Sequence, residues 1–184
     1  MTSRIPALVP EALAPDQARL YDGIAGGPRA AGPQHFALTT ADGALRGPFN
    51  AFLLAPALGD AVQALGAALR YRGELPDRAR EIAILLVAQH WDSAFEREAH
   101  EGVGRAAGLG DDELDALREA RVVGFAGIEG AVARLTLALL AGDLDDGGWR
   151  EAEAAIGAAG VFEVSTLVGY YGMLALQLRT FRVD

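Results

Sequence analysis

Apolar residues recur along this chain in the stripes and runs of helices, and rarely with the alternation of strands. Residues 1–10 are interrupted by prolines and predict an extended arm. The stretch from Pro10 to Tyr21 predicts the start of a helix. Pro15 sits in its first turn, where a missing N–H does little harm, and Gly26-Gly27-Pro28 stops it. Residues 26–47 are a long Gly- and Pro-rich connection, a candidate lid, with a turn signal at Asp42-Gly43. A very short hairpin from Phe36–Thr40 to Ala44–Arg46 fits that turn. Pro48 to Arg72 reads as helix, broken near Pro56, with a stripe at Leu58, Val62, Leu65 and Leu69. Leu75-Pro76-Asp77 restarts the chain as a good helix N-terminus. Residues 82–88 are apolar on every side, so this helix is expected at the centre of the core. A break near Trp91-Asp92 leads into a second helix, Asp92 to Ala107. Further helices follow from Asp111, over Ile128–Leu140, over Trp149–Ala159 and over Val161–Phe181.

The pattern predicts one all-α domain of seven or eight helices spanning 1–184. An arm and helix occupy 1–47, a core 48–120, and the C-terminal helices 121–184. Composition agrees: alanine and leucine dominate, while β-branched and aromatic residues are sparse. The net charge of −9 is dispersed, and no basic face stands out for nucleic acid. There is no cysteine, which excludes disulfides, zinc–thiolate sites and thiol peroxidase chemistry. No basic-then-apolar leader and no run of ~18 uninterrupted apolar residues is present, so the expectation is a soluble, cytoplasmic protein without a membrane partner.

The chemistry concentrates in Glu81, Ser93, Glu96 and His100. At ~100° per residue, Ser93, Glu96 and His100 share one face of the second helix. A tight hairpin brings Glu81 to that face, while His90 points to the other side of its helix. Plainer accounts exist for each group. Ser93-x-x-Glu96 has the form of a capping box, Glu96 and His100 of an exposed i, i+4 pair, and Glu81 of a carboxylate holding Arg80 or Arg105. His35 lies in the long connection, where it can reach a pocket mouth. The three histidines are too scattered for a metal site, and the Glu-x-x-His pairs of di-iron bundles are missing. Neither Gly26-Gly27-Pro28 nor Gly102-x-Gly104 has the setting of a nucleotide loop.

The order Glu81, Ser93, Glu96, His100 resembles the carboxymuconolactone decarboxylase family, whose superfamily includes the alkylhydroperoxidase D-like proteins. So do the stretches Arg80–Trp91 and Gly47–Pro56. The peroxidase branch carries a Glu, a Cys-x-x-Cys and a His. This chain matches the Glu and the His and places Ser93 and Glu96 where the cysteines would stand. The resemblance implies an all-helical fold built on a central two-helix hairpin. It also implies assembly as a homo-oligomer (trimer or hexamer) and a pocket near the hairpin, often at a subunit boundary.

Loss of CO₂ from an unsaturated lactone needs no cofactor; it needs a stabilised enolate and a proton for carbon. His100 is the candidate general acid, oriented by Glu96 or Glu81, with His90 a second proton donor. By residue type, Arg46 or Arg80 suits a substrate carboxylate, Asn50 a carbonyl, and Ser93 the substrate-facing wall. Three functions compete. The first is a lyase for a small carboxylated ring compound. The second is an isomerase or hydrolase using the same pocket. The third is a non-catalytic helical oligomer that binds a ligand or partner. The helices around 58–69 and 161–178 carry more apolar surface than one small domain buries. Tyr170, Tyr171 and Met173 read as core or as pocket wall.

Overall fold

The computed structural model describes residues 2–27 and 36–183; Pro28 and His35 lie outside the described residues, as does much of the candidate lid. Regular structure in the described residues is helical, with one isolated antiparallel bridge between Thr39 and Leu45. A 3-10 turn at Pro10–Ala12 precedes the helices. They are α1 (Pro15–Ala25), α2 (Pro48–Phe52), α3 (Pro56–Tyr71), α4 (Asp77–His90), α5 (Ala94–Ala106), α6 (Asp111–Arg118), α7 (Gly127–Ala141) and α8 (Asp146–Phe181). The chain forms two compact units. One holds the described residues up to Tyr71 with those from Leu176 onward; the other is Arg72–Ala175.

In the first unit, α1 buries Leu20 and Ile24. Gln17 fastens this helix by donating to the Leu53 carbonyl at 2.8 Å and accepting from the Ala14 N–H at 2.9 Å. The arm is extended, and buried Asn50 holds it. Its Oδ1 accepts from the Leu8 N–H at 3.0 Å and its Nδ2 donates to the Pro6 carbonyl at 2.9 Å. The Asp42-Gly43 turn closes a minimal hairpin, with Thr40 N–H on Ala44 O and Arg46 N–H on Leu38 O. The break before Pro56 falls where a residue ahead of proline leaves helical geometry.

In the second unit α4 is the hub, packed by α5, α6 and α7. Ile82 to Ala88 are all buried, as a helix apolar on every side requires. Ile82, Leu85 and Leu86 join Leu109, Leu114, Leu117, Phe125 and Ala133 in one cluster. Arg78 ties this hub together. Its guanidinium reaches Glu113 at 2.7 Å and Glu129 at 2.8 Å, and it also donates to the Gly108 carbonyl. Those two carboxylates hold the Arg78 guanidinium firmly protonated, and the pairing keeps Glu113 below the usual carboxylate range.

The hairpin turn is three residues long. Asp92 adopts φ 49°, in the left-handed region. Asp92 N–H bonds to Gln89 O and Ser93 N–H to Ala88 O, the paired bonds of a Schellman closure. Ser93 then begins α5, so the chain reverses with no slack. On α8, the expected gap at Gly160 is absent; the helix breaks at Gly157, with φ 68° and ψ 168°, a region only glycine enters at low cost. By length and composition α8 is apolar enough to cross a membrane. The Gly157 break and the burial of Val164, Leu167, Tyr170 and Leu174 give it instead the pattern of a core helix.

Candidate active site

Glu81 lies in the second turn of α4 and His100 at the midpoint of α5, and the hairpin brings them into contact. His100 Nδ1 and Glu81 Oε2 are 2.7 Å apart, with 8% and 2% of their surfaces exposed. A carboxylate on Nδ1 fixes the ring and leaves Nε2 as the nitrogen for proton transfer. The ring stands edge-on to Tyr171, with centroids 5.1 Å apart, and Tyr171 in turn packs on Tyr170 at 5.3 Å. These tyrosines are core residues of α8 that also wall the site. Sequence spacing showed an aromatic pair in an apolar helix and nothing about which ring it faced. Gly172 lets α8 come close to the turn, since a Cβ there would lie 3.2 Å from Trp91 Nε1.

Glu96 and Ser93 do not form a capping box. Ser93 is at the N-cap but makes no side-chain cap bond. The Ser93 Oγ and both Glu96 carboxyl oxygens are buried without a hydrogen-bond partner. Burial pushes the Glu96 carboxyl up to about 8; Ser93 lies close enough to temper that rise. Its hydroxyl nonetheless forms no bond of normal geometry to the carboxyl. Nor is Glu96 an exposed partner of His100: the histidine is engaged by Glu81 instead.

Arg80 flanks the pair. Its Nη2 donates to Asp77 at 2.6 Å, and its buried Nε lies 3.7 Å from Glu81 Oε1, beyond hydrogen-bond reach. Arg105 bonds Asp111 rather than Glu81. His90 is exposed on the outer side of α4, edge-on to Trp91. Thus Glu81, Arg80 and His100 come together, with Ser93 and Glu96 on the same face of α5 as His100, while His90 is turned away. In the other unit, Asn50 uses both ends of its amide on the arm, and Arg46 donates to the Ala37 carbonyl at 3.1 Å. The Arg78 cluster had no signal in sequence, because its partners lie 35 and 51 positions away. In the described residues, no group of three or more His, Asp or Glu is placed to hold a metal ion.

The architecture is that of the alkylhydroperoxidase AhpD-like proteins. An uncharacterised peroxidase-related protein from Ralstonia eutropha, with an alkylhydroperoxidase AhpD core, superposes with a TM-score of 0.77 at 14% identity, over 99% of this chain and 91% of that one. A cysteine-to-alanine variant of the debrominase Bmp8, in complex with 2,3,4-tribromopyrrole, gives 0.74 at 12% identity, over 100% and 91%. A protein of unknown function from Agrobacterium tumefaciens, provisionally assigned to AhpD antioxidant defence, gives 0.63 at 18% identity, over 73% and 94%. No protein-family model and no curated protein matches the sequence. At these identities the likeness defines the fold: an all-α, AhpD-like chain built around the α4–α5 hairpin.

Proposed function

We propose that this chain is a cofactor-independent acid–base enzyme acting on a small cyclic carboxylated compound, and specifically a carboxy-lyase for an unsaturated lactone such as 4-carboxymuconolactone. The observation that carries this reading is the buried Glu81–His100 bond beside a carboxyl and a hydroxyl that no protein group satisfies. Such arrangements cluster where a protein does chemistry. A neighbour of the same fold that holds a substituted pyrrole supports a small planar ring as ligand.

The reaction asks for two things. The bond from ring carbon to carboxylate breaks, CO₂ leaves, and the electron pair moves through the ring double bond into the lactone carbonyl. The resulting enolate then takes a proton on carbon. His100, oriented by Glu81, delivers that proton and is reprotonated from solvent. Thiol-dependent peroxide reduction has no nucleophile here, since the chain has no cysteine. The enzyme acts in the cytoplasm as a homo-oligomer, trimer or hexamer; exposed Leu54, Leu58, Leu65 and Leu176 support self-association.

The test is direct. Purified protein is supplied with 4-carboxymuconolactone and CO₂ release is followed. His100→Ala is expected to lower kcat/KM by about 100-fold or more, the usual scale for a lost proton-transfer group, with unchanged circular dichroism. Wild-type rates in both His100→Ala and Glu96→Ala would sink the site assignment. An inert wild type would sink the substrate.

A further inference from the structure

Glu96 stands apart from every other acidic side chain in the site. It is 2% exposed, and both of its oxygens lack a partner. Three residues earlier, on the same face, the buried Ser93 hydroxyl is also unsatisfied. Three buried polar atoms left unsatisfied are costly to a fold, so a natural site keeps them for something that binds there.

The nature of the missing group follows from charge. An ionised carboxylate in the interior needs a cation or several donors. Glu96 has neither. On α4, Arg80 is held by Asp77 and lies beside Glu81, which itself is bonded to His100. On α5, Ser93 is the one side chain that acts on Glu96; from α8, Tyr171 and Tyr170 pack as rings on His100 and on each other. The carboxyl therefore keeps its proton and becomes a donor. Ser93 at the N-cap and Glu96 in the first turn lie at an end of α5 that no side chain caps and that favours negative charge. Two neutral donors in a positive local field suit an oxygen that is uncharged in the substrate and gains charge during the reaction.

We propose that the protonated Glu96 carboxyl and the Ser93 hydroxyl form the donor site for the substrate's carbonyl oxygen and stabilise it as it becomes an enolate. The inference rests on the reading above and divides the labour within it. Glu81 and His100 move the proton, while Glu96 and Ser93 receive the electron pair, so Glu96 does not serve to orient His100. The same pairing suits the carbonyl oxygen of an unsaturated lactone or enone.

Three measurements on the full chain decide the matter. Infrared spectra recorded between pH 6 and 9 should show a protonated-carboxyl C=O band that fades as the pH passes 8 and is absent from Glu96→Gln. Identical wild-type and Glu96→Gln spectra would overturn the proposal. The second probe is 2(5H)-furanone labelled at its carbonyl, which needs no turnover. Its C=O stretch should fall in frequency on the wild type and on Glu96→Gln, whose amide still donates, and fall clearly less on Glu96→Ala, where Ser93 alone donates. No fall on the wild type overturns the assignment. Third, the rate on 4-carboxymuconolactone should drop more steeply above pH 8 in the wild type than in Glu96→Gln, with Ser93→Ala slower by about tenfold. Alkaline profiles that coincide in wild type and Glu96→Gln count against the proposal. If the wild type is inert on this lactone but shifts the furanone band, the decarboxylase reading fails and the donor site stands.

Discussion

Two carboxyls on facing helices behave differently because one has a partner and the other has none. Glu81 spends Oε2 on His100 at 2.7 Å, and removing either partner strands a buried polar group on the other. Glu81→Ala should therefore cost about 1–3 kcal/mol in urea unfolding, and His100→Ala a similar amount. The double variant should lose clearly less than the sum of the two, because the pair is one interaction. Strict additivity would show that the contact contributes little. For Glu96 the sign runs the other way from an ordinary carboxylate. Its folded pKa is raised from 4.5 to about 8 by burial, so the folded chain holds a proton that the unfolded chain has released across that window. Its contribution to stability is complete below pH 4.5, falls as pH rises, and is gone above pH 8, by on the order of 1 kcal/mol per pH unit at most. Glu96→Gln should flatten this slope in denaturant titrations run from pH 5 to pH 8. An equal slope in wild type and variant would place an ionised Glu96 in the folded protein.

Helix closures in the second unit follow one rule written in two alphabets. α4, α5, α6 and α7 each end with a residue in the left-handed region, at Asp92, Gly108, Ala120 and Gly142. Each is followed by the same bond from two residues past the helix end back to its last turn, such as Arg121 N–H to Ala116 O at 2.8 Å. Ala120 carries the Cβ penalty of that conformation at φ 52°, so Ala120→Gly should raise stability by about 1 kcal/mol. On α8, two glycines should respond in opposite directions. Gly157→Ala forces a Cβ into φ 68° and ψ 168° and should cost about 1–3 kcal/mol. Gly169 has open space around it in regular helix, so Gly169→Ala should gain about 1 kcal/mol. Thermal melts of the three variants check all three signs. The same alphabets explain what sequence could reveal. Glycine stops at 108 and 142, prolines at 15, 48 and 56, and the all-apolar run at 82–88 marked helices and core plainly. Ala120 announced nothing, and Trp91-Asp92 announced a break but not its geometry, yet the three-residue turn at Asp92 sets whether Glu81 meets His100. The polar face of α5 was legible from spacing. That Ser93 declines to cap its helix, and so leaves Glu96 unanswered, depends on packing that no local pattern encodes.

At the scale of the molecule, charge and apolar surface oppose each other. Each chain carries −9, which resists bringing copies together. Yet in the first unit Leu58 and Leu65 lie two turns apart on one face of α3, 65% and 40% exposed, with Leu54 just before that helix and Leu176 on α8 also open. Beside them Phe52, Ala55, Leu58, Val62, Gln177 and Phe181 line a groove. Self-association through this face would be driven by apolar burial against electrostatic repulsion, and the two terms answer differently to salt. At 0.1 M the Debye length is about 10 Å, so added salt screens the repulsion and leaves the apolar term intact. Light scattering at micromolar concentration should therefore show an oligomer whose mass holds or rises from low salt to 0.5 M. An assembly held by surface ion pairs would fall apart over that range. Leu58→Glu adds charge at the most exposed of these leucines and should reduce the mass to that of the 19.2 kDa monomer without lowering the melting temperature of the isolated chain by more than about 4 °C. A wild type that scatters as a monomer at every salt concentration would remove the apolar face from the argument and leave its exposure without a partner.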